Sequence, residues 1–91
     1  MMGAPFLIPD AETATLQQLA GRPGLSSATL RRMNQKHRIC RQTKRNAPLL
    51  FSVPAVEMLR HGDLVALDLL KAGDRASPRV RAYLDMLGFG G

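Results

Sequence analysis

The chain has 91 residues, the usual size of one domain, so we expect no separate catalytic or ligand-sensing domain. Its 13 Lys and Arg against 7 Asp and Glu give a net charge of +6, which favours a polyanionic partner. Aromatic residues make up 4% of the chain, too few to form stacking platforms, which argues against single-stranded nucleic acid as that partner.

The positive charge is concentrated in one part of the chain. No acidic residue lies between Glu12 and Glu57. A solvated surface usually mixes both signs, so this one-signed stretch favours nucleic-acid binding. No apolar run approaches the roughly 18 residues that cross a bilayer, and the single Cys40 cannot form an intramolecular disulfide, so we expect a cytoplasmic protein without membrane contact. The eight cations of the stretch are Arg22, Arg31, Arg32, Lys36, Arg38, Arg41, Lys44 and Arg45.

Two helices are predicted after an N-terminal arm over residues 1–12. Thr15 and Gln18 have the spacing of a capping box, which predicts a short helix beginning there. Residues 21–24, Gly-Arg-Pro-Gly, favour a turn. Ser26 is then the predicted N-cap of a second helix that runs to about His37.

The second helix has separate faces. Leu30 and Met33 are predicted to point to the core, whereas the small and basic residues around them fall on other sides of the 3.6-residue repeat. Small residues at the start and arginines one turn later suit a helix that enters a DNA major groove by its first turns, with Arg31 reading a base.

A β-hairpin is predicted next. Residues 38–41 and 49–53 have strand character, and the segment between them is polar and turn-prone. Leu49, Phe51 and Val53 share one face by the two-residue period. The hairpin tip carries Lys44 and Arg45 and is therefore basic.

Three more helices are predicted towards the C-terminus. Pro54 begins the third, Asp63 caps the fourth and Ser77-Pro78 opens the fifth. The apolar residues of the last two either fold back onto a small core or join neighbouring molecules, and the sequence leaves both possibilities open.

The sequence gives little sign of catalysis or metal binding. His37, Cys40 and His61 lack the paired, short-spaced ligands of a structural zinc site. No glycine-rich phosphate loop or serine-histidine-acid motif is present. We therefore expect no enzymatic activity, no metal and no cofactor.

Three segments, considered together, resemble one protein family. Residues 15–20 (TLQQLA), 25–33 (LSSATLRRM) and 50–59 (LFSVPAVEML) look like the MerR-type excisionase or AlpA-like winged helix-turn-helix family. The resemblance implies a mainly α fold with a small β-hairpin wing, in which residues 13–62 form the DNA-binding domain. Residues 63–91 would be a C-terminal helical extension, packed on the domain or used for self-association.

The resemblance also implies a DNA-binding site. Ser27, Ala28, Arg31 and Arg32 match the recognition helix, and Lys44 and Arg45 match the wing tip. Gln35 and Lys36 complete the predicted site, Gln35 because it lies off the core face and Lys36 because it belongs to the cationic stretch.

The resemblance implies a biological role as well. An excisionase, or recombination directionality factor, of a mobile genetic element bends double-stranded DNA so that an integrase, a tyrosine or serine recombinase, favours excision. Such a protein would act in the bacterial cytoplasm on the nucleoid and associate cooperatively with its own copies on DNA. The alternatives are a small transcription regulator of the AlpA-like type and, less favoured, a basic module that binds an acidic protein or RNA.

Overall fold

The computed structural model describes residues 6–42 and 46–89. This part of the chain is about half helical and contains five α-helices and a three-stranded antiparallel sheet. A 3-10 turn, Asp10–Glu12, comes first. It is followed by β1 Thr13–Thr15, α1 Leu16–Ala20, α2 Ser27–His37, β2 Cys40–Arg41, β3 Leu50–Ser52, α3 Val53–Arg60, α4 Leu64–Lys71 and α5 Pro78–Met86.

Side-chain caps begin three of the helices where the sequence predicts them. At α1, the backbone N–H of Gln18 donates to Thr15 Oγ1 at 3.2 Å, and the backbone N–H of Thr15 donates to the side-chain Oε1 of Gln18 at 2.8 Å. Ser26 Oγ accepts from the Thr29 N–H at 3.1 Å, and Asp63 Oδ1 accepts from the Ala66 N–H at 3.0 Å. These bonds satisfy backbone donors that have no partner within the helix, so the capping predictions are confirmed.

Two helix starts differ from the prediction. Helix α3 begins at Val53 rather than Pro54, because Ser52 Oγ accepts from the Ala55 N–H at 3.3 Å and acts as the N-cap. Ser77 occupies the N-cap position of α5 but makes no capping bond. Asp74 Oδ1 instead accepts from the Ser77 N–H at 3.0 Å, so the carboxylate orders the loop before α5.

The sheet has the order β1-β3-β2, with both neighbours antiparallel to the central strand. Ala14 and Cys40 both pair with Phe51, one from each side. Strand β1 was not predicted. The other two strands are shorter than predicted, because Arg38 is the left-handed C-cap of α2, with φ 53°, and Val53 already belongs to α3.

One hydrophobic core joins the sheet to all five helices. Phe51, Leu30 and Met58 are fully buried at its centre. The inward faces of the last two helices belong to the same cluster, so these side chains fold back onto the domain. The buried side chains are Ala66, Leu67 and Leu70 of α4 and Val80 and Leu84 of α5. Among the large apolar side chains of these two helices, Leu64, Val65 and Met86 stay exposed.

The described part of the predicted N-terminal arm is fastened to the domain. Ile8 is buried, and its carbonyl accepts a hydrogen bond from Arg41 Nη1 at 2.9 Å. Asp10 pairs with the same guanidinium, and the buried Glu12 pairs with Arg75 in the loop before α5. The segment therefore bridges the β2 strand and the C-terminal helices.

Candidate nucleic-acid interface

Helix α2 is held from its buried side and from the turn that precedes it. Leu25 and Leu30, which have the N′ and N4 spacing of a hydrophobic staple around the N-cap Ser26, are both buried. The Leu25 N–H donates to the Arg22 carbonyl at 3.1 Å, and Gly24 takes φ 79°, a conformation that glycine adopts without strain. Arg60 of α3 donates to the Pro23 carbonyl at 3.2 Å. The turn between α1 and α2 is thus tied to α3, which fixes the direction in which α2 points.

The outer face of α2 carries the predicted helical site residues. Ser27 lies at its edge and is half-buried. The other five described site residues are exposed. All six described site residues lie on α2. The exposed members are Ala28, Arg31, Arg32, Gln35 and Lys36. Lys44 and Arg45 lie outside the described residues.

The cations of α2 and its C-cap Arg38 differ from most other cations of the described residues, because they lack a carboxylate partner; Arg22, in the turn before α2, is like them. Five arginines elsewhere each pair with a carboxylate. Within residues 6–42 and 46–89, by contrast, the charged groups of Arg31, Arg32, Lys36 and Arg38 have no hydrogen-bond or ion-pair partner. Unneutralised cations on one face produce a local positive potential that attracts a polyanion. The paired arginines are Arg41, Arg60, Arg75, Arg79 and Arg81.

Arg41 belongs to the cationic stretch of the sequence, but it is engaged in holding the fold together. Its guanidinium donates to the Ile8 carbonyl and pairs with Asp10. The sequence does not reveal this pairing because Asp10 lies far from Arg41 along the chain. Arg41 is therefore separate from the unpaired cations of α2.

Grooves run along both sides of α2. The wing-side groove is apolar, lies between α2 and the start of β3, and has Leu16 and Leu49 in its lining with Arg31 at its edge. A more polar depression, lined by Gln35 and Arg38 among others, lies on the same side. On the other side, the α3-side groove is lined by Arg32, Lys36, Met33 and Leu59. Helix α2 is thus a ridge with cations at both edges.

The hairpin formed by β2 and β3 stands beside this ridge. Gln42 Nε2 donates to the Ala47 carbonyl at 2.7 Å, which closes the described part of the hairpin just below its tip. Leu49 contributes to the wing-side groove, so the hairpin and α2 share a surface.

Cys40 and the histidines do not form a reactive or metal-binding centre in the described structure. Burial raises the pKa of the Cys40 thiol to about 12, so the thiol stays protonated at neutral pH and is a poor nucleophile. Its backbone N–H donates to Asn34 Oδ1 at 3.1 Å, which joins β2 to α2. Across residues 6–42 and 46–89, no group of three His, Cys, Asp or Glu side chains could hold a metal ion.

Asp63 lies at a junction of α4 and α5 that the sequence does not indicate. Besides capping α4, its carboxylate accepts from Arg79 Nε at 3.0 Å and from the Tyr83 hydroxyl at 3.0 Å. The hydrogen bond from the Ala66 N–H is the largest influence that lowers the Asp63 pKa, and the bonds from Arg79 and Tyr83 act in the same direction. The junction joins the start of α4 to α5.

Comparisons of the chain with models of protein families, with curated proteins and with solved structures found no match. No helix in the described part of the chain is both long and apolar enough to span a bilayer.

Proposed function

We propose that this protein binds double-stranded DNA sequence-specifically as a winged helix-turn-helix domain, with α2 as the recognition helix. The observation that carries the proposal is the outer face of α2, where cations without a partner among the described residues flank an exposed helical ridge. The α1–turn–α2 unit is compatible with a helix-turn-helix, and the β2–β3 hairpin is compatible with a wing.

The mechanism begins with electrostatic capture. The α2 cations approach phosphates and release condensed counterions, which supplies affinity for any duplex sequence. An α-helix with its side chains is about 10–12 Å in diameter, which matches the roughly 12 Å width of the major groove. Once α2 lies in the groove, its side chains read base edges. Lys44 and Arg45, which the sequence predicts at the tip of the hairpin, contact the backbone or the minor groove in this proposal.

We further propose that the protein acts as an excisionase, bending DNA beside an integrase, and that copies bind adjacent sites cooperatively. A single domain of this size contacts too little DNA to bend it far, whereas neighbouring copies accumulate curvature and raise one another's effective concentration. The exposed Leu64, Val65 and Met86 are the candidate contacts between copies.

The alternative role is that of a small transcription regulator, which would use the same DNA-binding face. The basic face also allows an acidic protein or RNA as partner, which the binding experiment below tests.

The DNA-binding proposal is tested by selecting ligands for the full chain from a random duplex library and measuring affinity by fluorescence anisotropy. The selected duplex should bind more tightly than random duplex, duplex RNA or single strands. Arg31→Ala and Arg32→Ala should each weaken duplex binding. Arg81→Ala removes the same charge from α5, where the side chain pairs with Asp85, and should leave affinity unchanged. Equal losses from Arg81→Ala, or no preference for duplex DNA, would contradict the proposal.

Wing contact is tested through salt dependence. Replacing Lys44 and Arg45 together by Ala should reduce the slope of log affinity against log salt by roughly one to two units, because fewer counterions are released. An unchanged slope would place the wing tip away from the duplex.

Cooperativity requires point variants, because a truncation at Ser77 removes the buried Val80 and Leu84 and damages the core. Footprint titrations on one, two and three adjacent selected sites should show cooperative filling and increasing bend. Leu64→Ser combined with Val65→Ser should abolish cooperativity while preserving single-site affinity. Independent filling of three sites by the unmodified protein would refute self-association on DNA.

A further inference from the structure

The exposed residues of α2 face different directions, and these directions assign different roles to them. With about 100° of rotation per residue, Ala28 and Gln35 lie about 20° apart around the helix axis and about 10 Å apart along it. Ala28 and Gln35 point about 20° and 40° away from the direction opposite the fully buried Leu30, and both lie between the directions of Arg31 and Arg32. We call this pair the crest of α2.

The cations lie to either side of the crest. Arg31 is turned by about 60° from Ala28 in one direction, and Arg32 by about 40° in the other. Arg31 lies at the edge of the wing-side groove, and Arg32 lines the α3-side groove together with Lys36. When a helix lies in a major groove, its two flanks face the sugar-phosphate ridges of opposite strands. The long side chains of Arg31 on one flank and of Arg32 with Lys36 on the other can reach these phosphates, which take most protein–DNA hydrogen bonds, and the shorter crest side chains between them face base edges.

The chemistry of the crest fits one type of base pair. An unpaired glutamine amide carries a donor and an acceptor side by side, and the Gln35 side chain has no hydrogen-bond partner within the described residues. That donor-acceptor pattern complements N7 and the N6 amino group of adenine, whereas an alanine methyl group complements the methyl group of thymine. Neither side chain carries a charge that would draw it to a phosphate.

We infer that α2 reads two A·T pairs about two base pairs apart, with Gln35 hydrogen-bonded to adenine and Ala28 against a thymine methyl. The spacing follows from the separation of about 10 Å along α2, because one base-pair step along the inclined groove is about 5 Å, longer than the rise of about 3.4 Å along the DNA axis. The inference rests on the proposed DNA-binding function and names the sequence that this function selects. It gives Arg31 a phosphate contact in place of the base contact predicted from the sequence, and it requires α2 to lie along the groove.

The experiment repeats the random-duplex selection with the full-length unmodified protein and with Gln35→Glu. The unmodified protein should enrich two A·T pairs about two base pairs apart. In the variant, the carboxylate accepts from the cytosine N4 amino group, so the preference at one of the two positions should change from adenine to cytosine. Gln35→Ala should lower affinity for the selected duplex roughly 5- to 150-fold and should lower affinity for random duplex much less.

The Ala28 contact is tested in the DNA. Deoxyuridine lacks the thymine methyl group, so replacing the second-position thymidine should weaken binding several-fold for the unmodified protein and leave Ala28→Gly unaffected. Lys36→Ala is the matched control on the same helix and should weaken all duplexes alike, with the selected motif preserved. Circular dichroism checks that each variant keeps the helical content of the parent.

The outcomes separate the inference from the proposed function. If duplex DNA is selected but Gln35→Glu enriches the same motif and deoxyuridine has no effect, the crest assignment is overturned and DNA binding stands. If no duplex is enriched at all, the proposed function itself is overturned.

Discussion

Truncating Leu84 to alanine tests whether α5 is an integral part of the domain. The Leu84 side chain is 1% exposed and belongs to the same core cluster as Phe51 and Leu30. The substitution removes one CH and two methyl groups from the core and leaves a cavity. Such a change lowers the free energy of unfolding by about 2–5 kcal/mol for buried leucines. A domain of this length has a total free energy of unfolding of roughly 5–14 kcal/mol. The substitution should therefore remove a large part of the stability.

The assay is urea unfolding followed by far-ultraviolet circular dichroism. Met86→Ala is the matched control on the same helix, because Met86 is 58% exposed and its truncation should change the free energy of unfolding by about 0.5 kcal/mol or less. Each variant is measured at two protein concentrations tenfold apart. A loss below about 1 kcal/mol for Leu84→Ala, or a loss that appears only at the higher concentration, would refute the intramolecular role of α5.

Three further predictions concern a cap, a carboxylate and a thiol. Ser26→Ala removes the hydroxyl that caps α2 and should cost about 1 kcal/mol in urea unfolding, and a neutral result would contradict the capping role. The Ala66 N–H holds the pKa of Asp63 below its ordinary value of 3.8, so the stability from this carboxylate is present above pH 3.8 and is lost as the pH falls through the lower folded-state pKa. Asp63→Asn should reduce the loss of unfolding free energy at acidic pH. An unchanged pH dependence of the unfolding free energy would show that Asp63 is not its source. Because burial raises the Cys40 pKa to about 12, Ellman's reagent should label the native protein far more slowly at pH 8 than the urea-unfolded chain, and equal rates would contradict the burial.

Features set by neighbouring residues were predictable from the sequence. The caps at Thr15, Ser26 and Asp63 depend on a side chain and a backbone N–H three residues further on, so the sequence contains both partners. The separation of Leu30 from Ala28 and Gln35 depends only on the helical repeat. The exposed face of α2 could therefore be predicted before the fold was known.

Features set by distant residues were not predictable in the same way. Thr13–Thr15 is a strand because it pairs with Leu50–Ser52, and its own three residues give too short a pattern to indicate one. The pairing of Arg41 with Asp10 likewise depends on how β2 meets the N-terminal segment. The grooves beside α2 arise from separated parts of the chain, which is why the sequence did not show which groove each arginine would line.

The central position of β3 governs the order in which the molecule can assemble during synthesis. Strand β1 leaves the ribosome before its partner β3, and at about 5–20 residues per second the delay is roughly 2–7 s. Even then the core lacks Val80 and Leu84, which come last. The growing chain thus keeps its apolar residues exposed until translation reaches α5, and polypeptides released before that point offer proteases and chaperones an unfinished core.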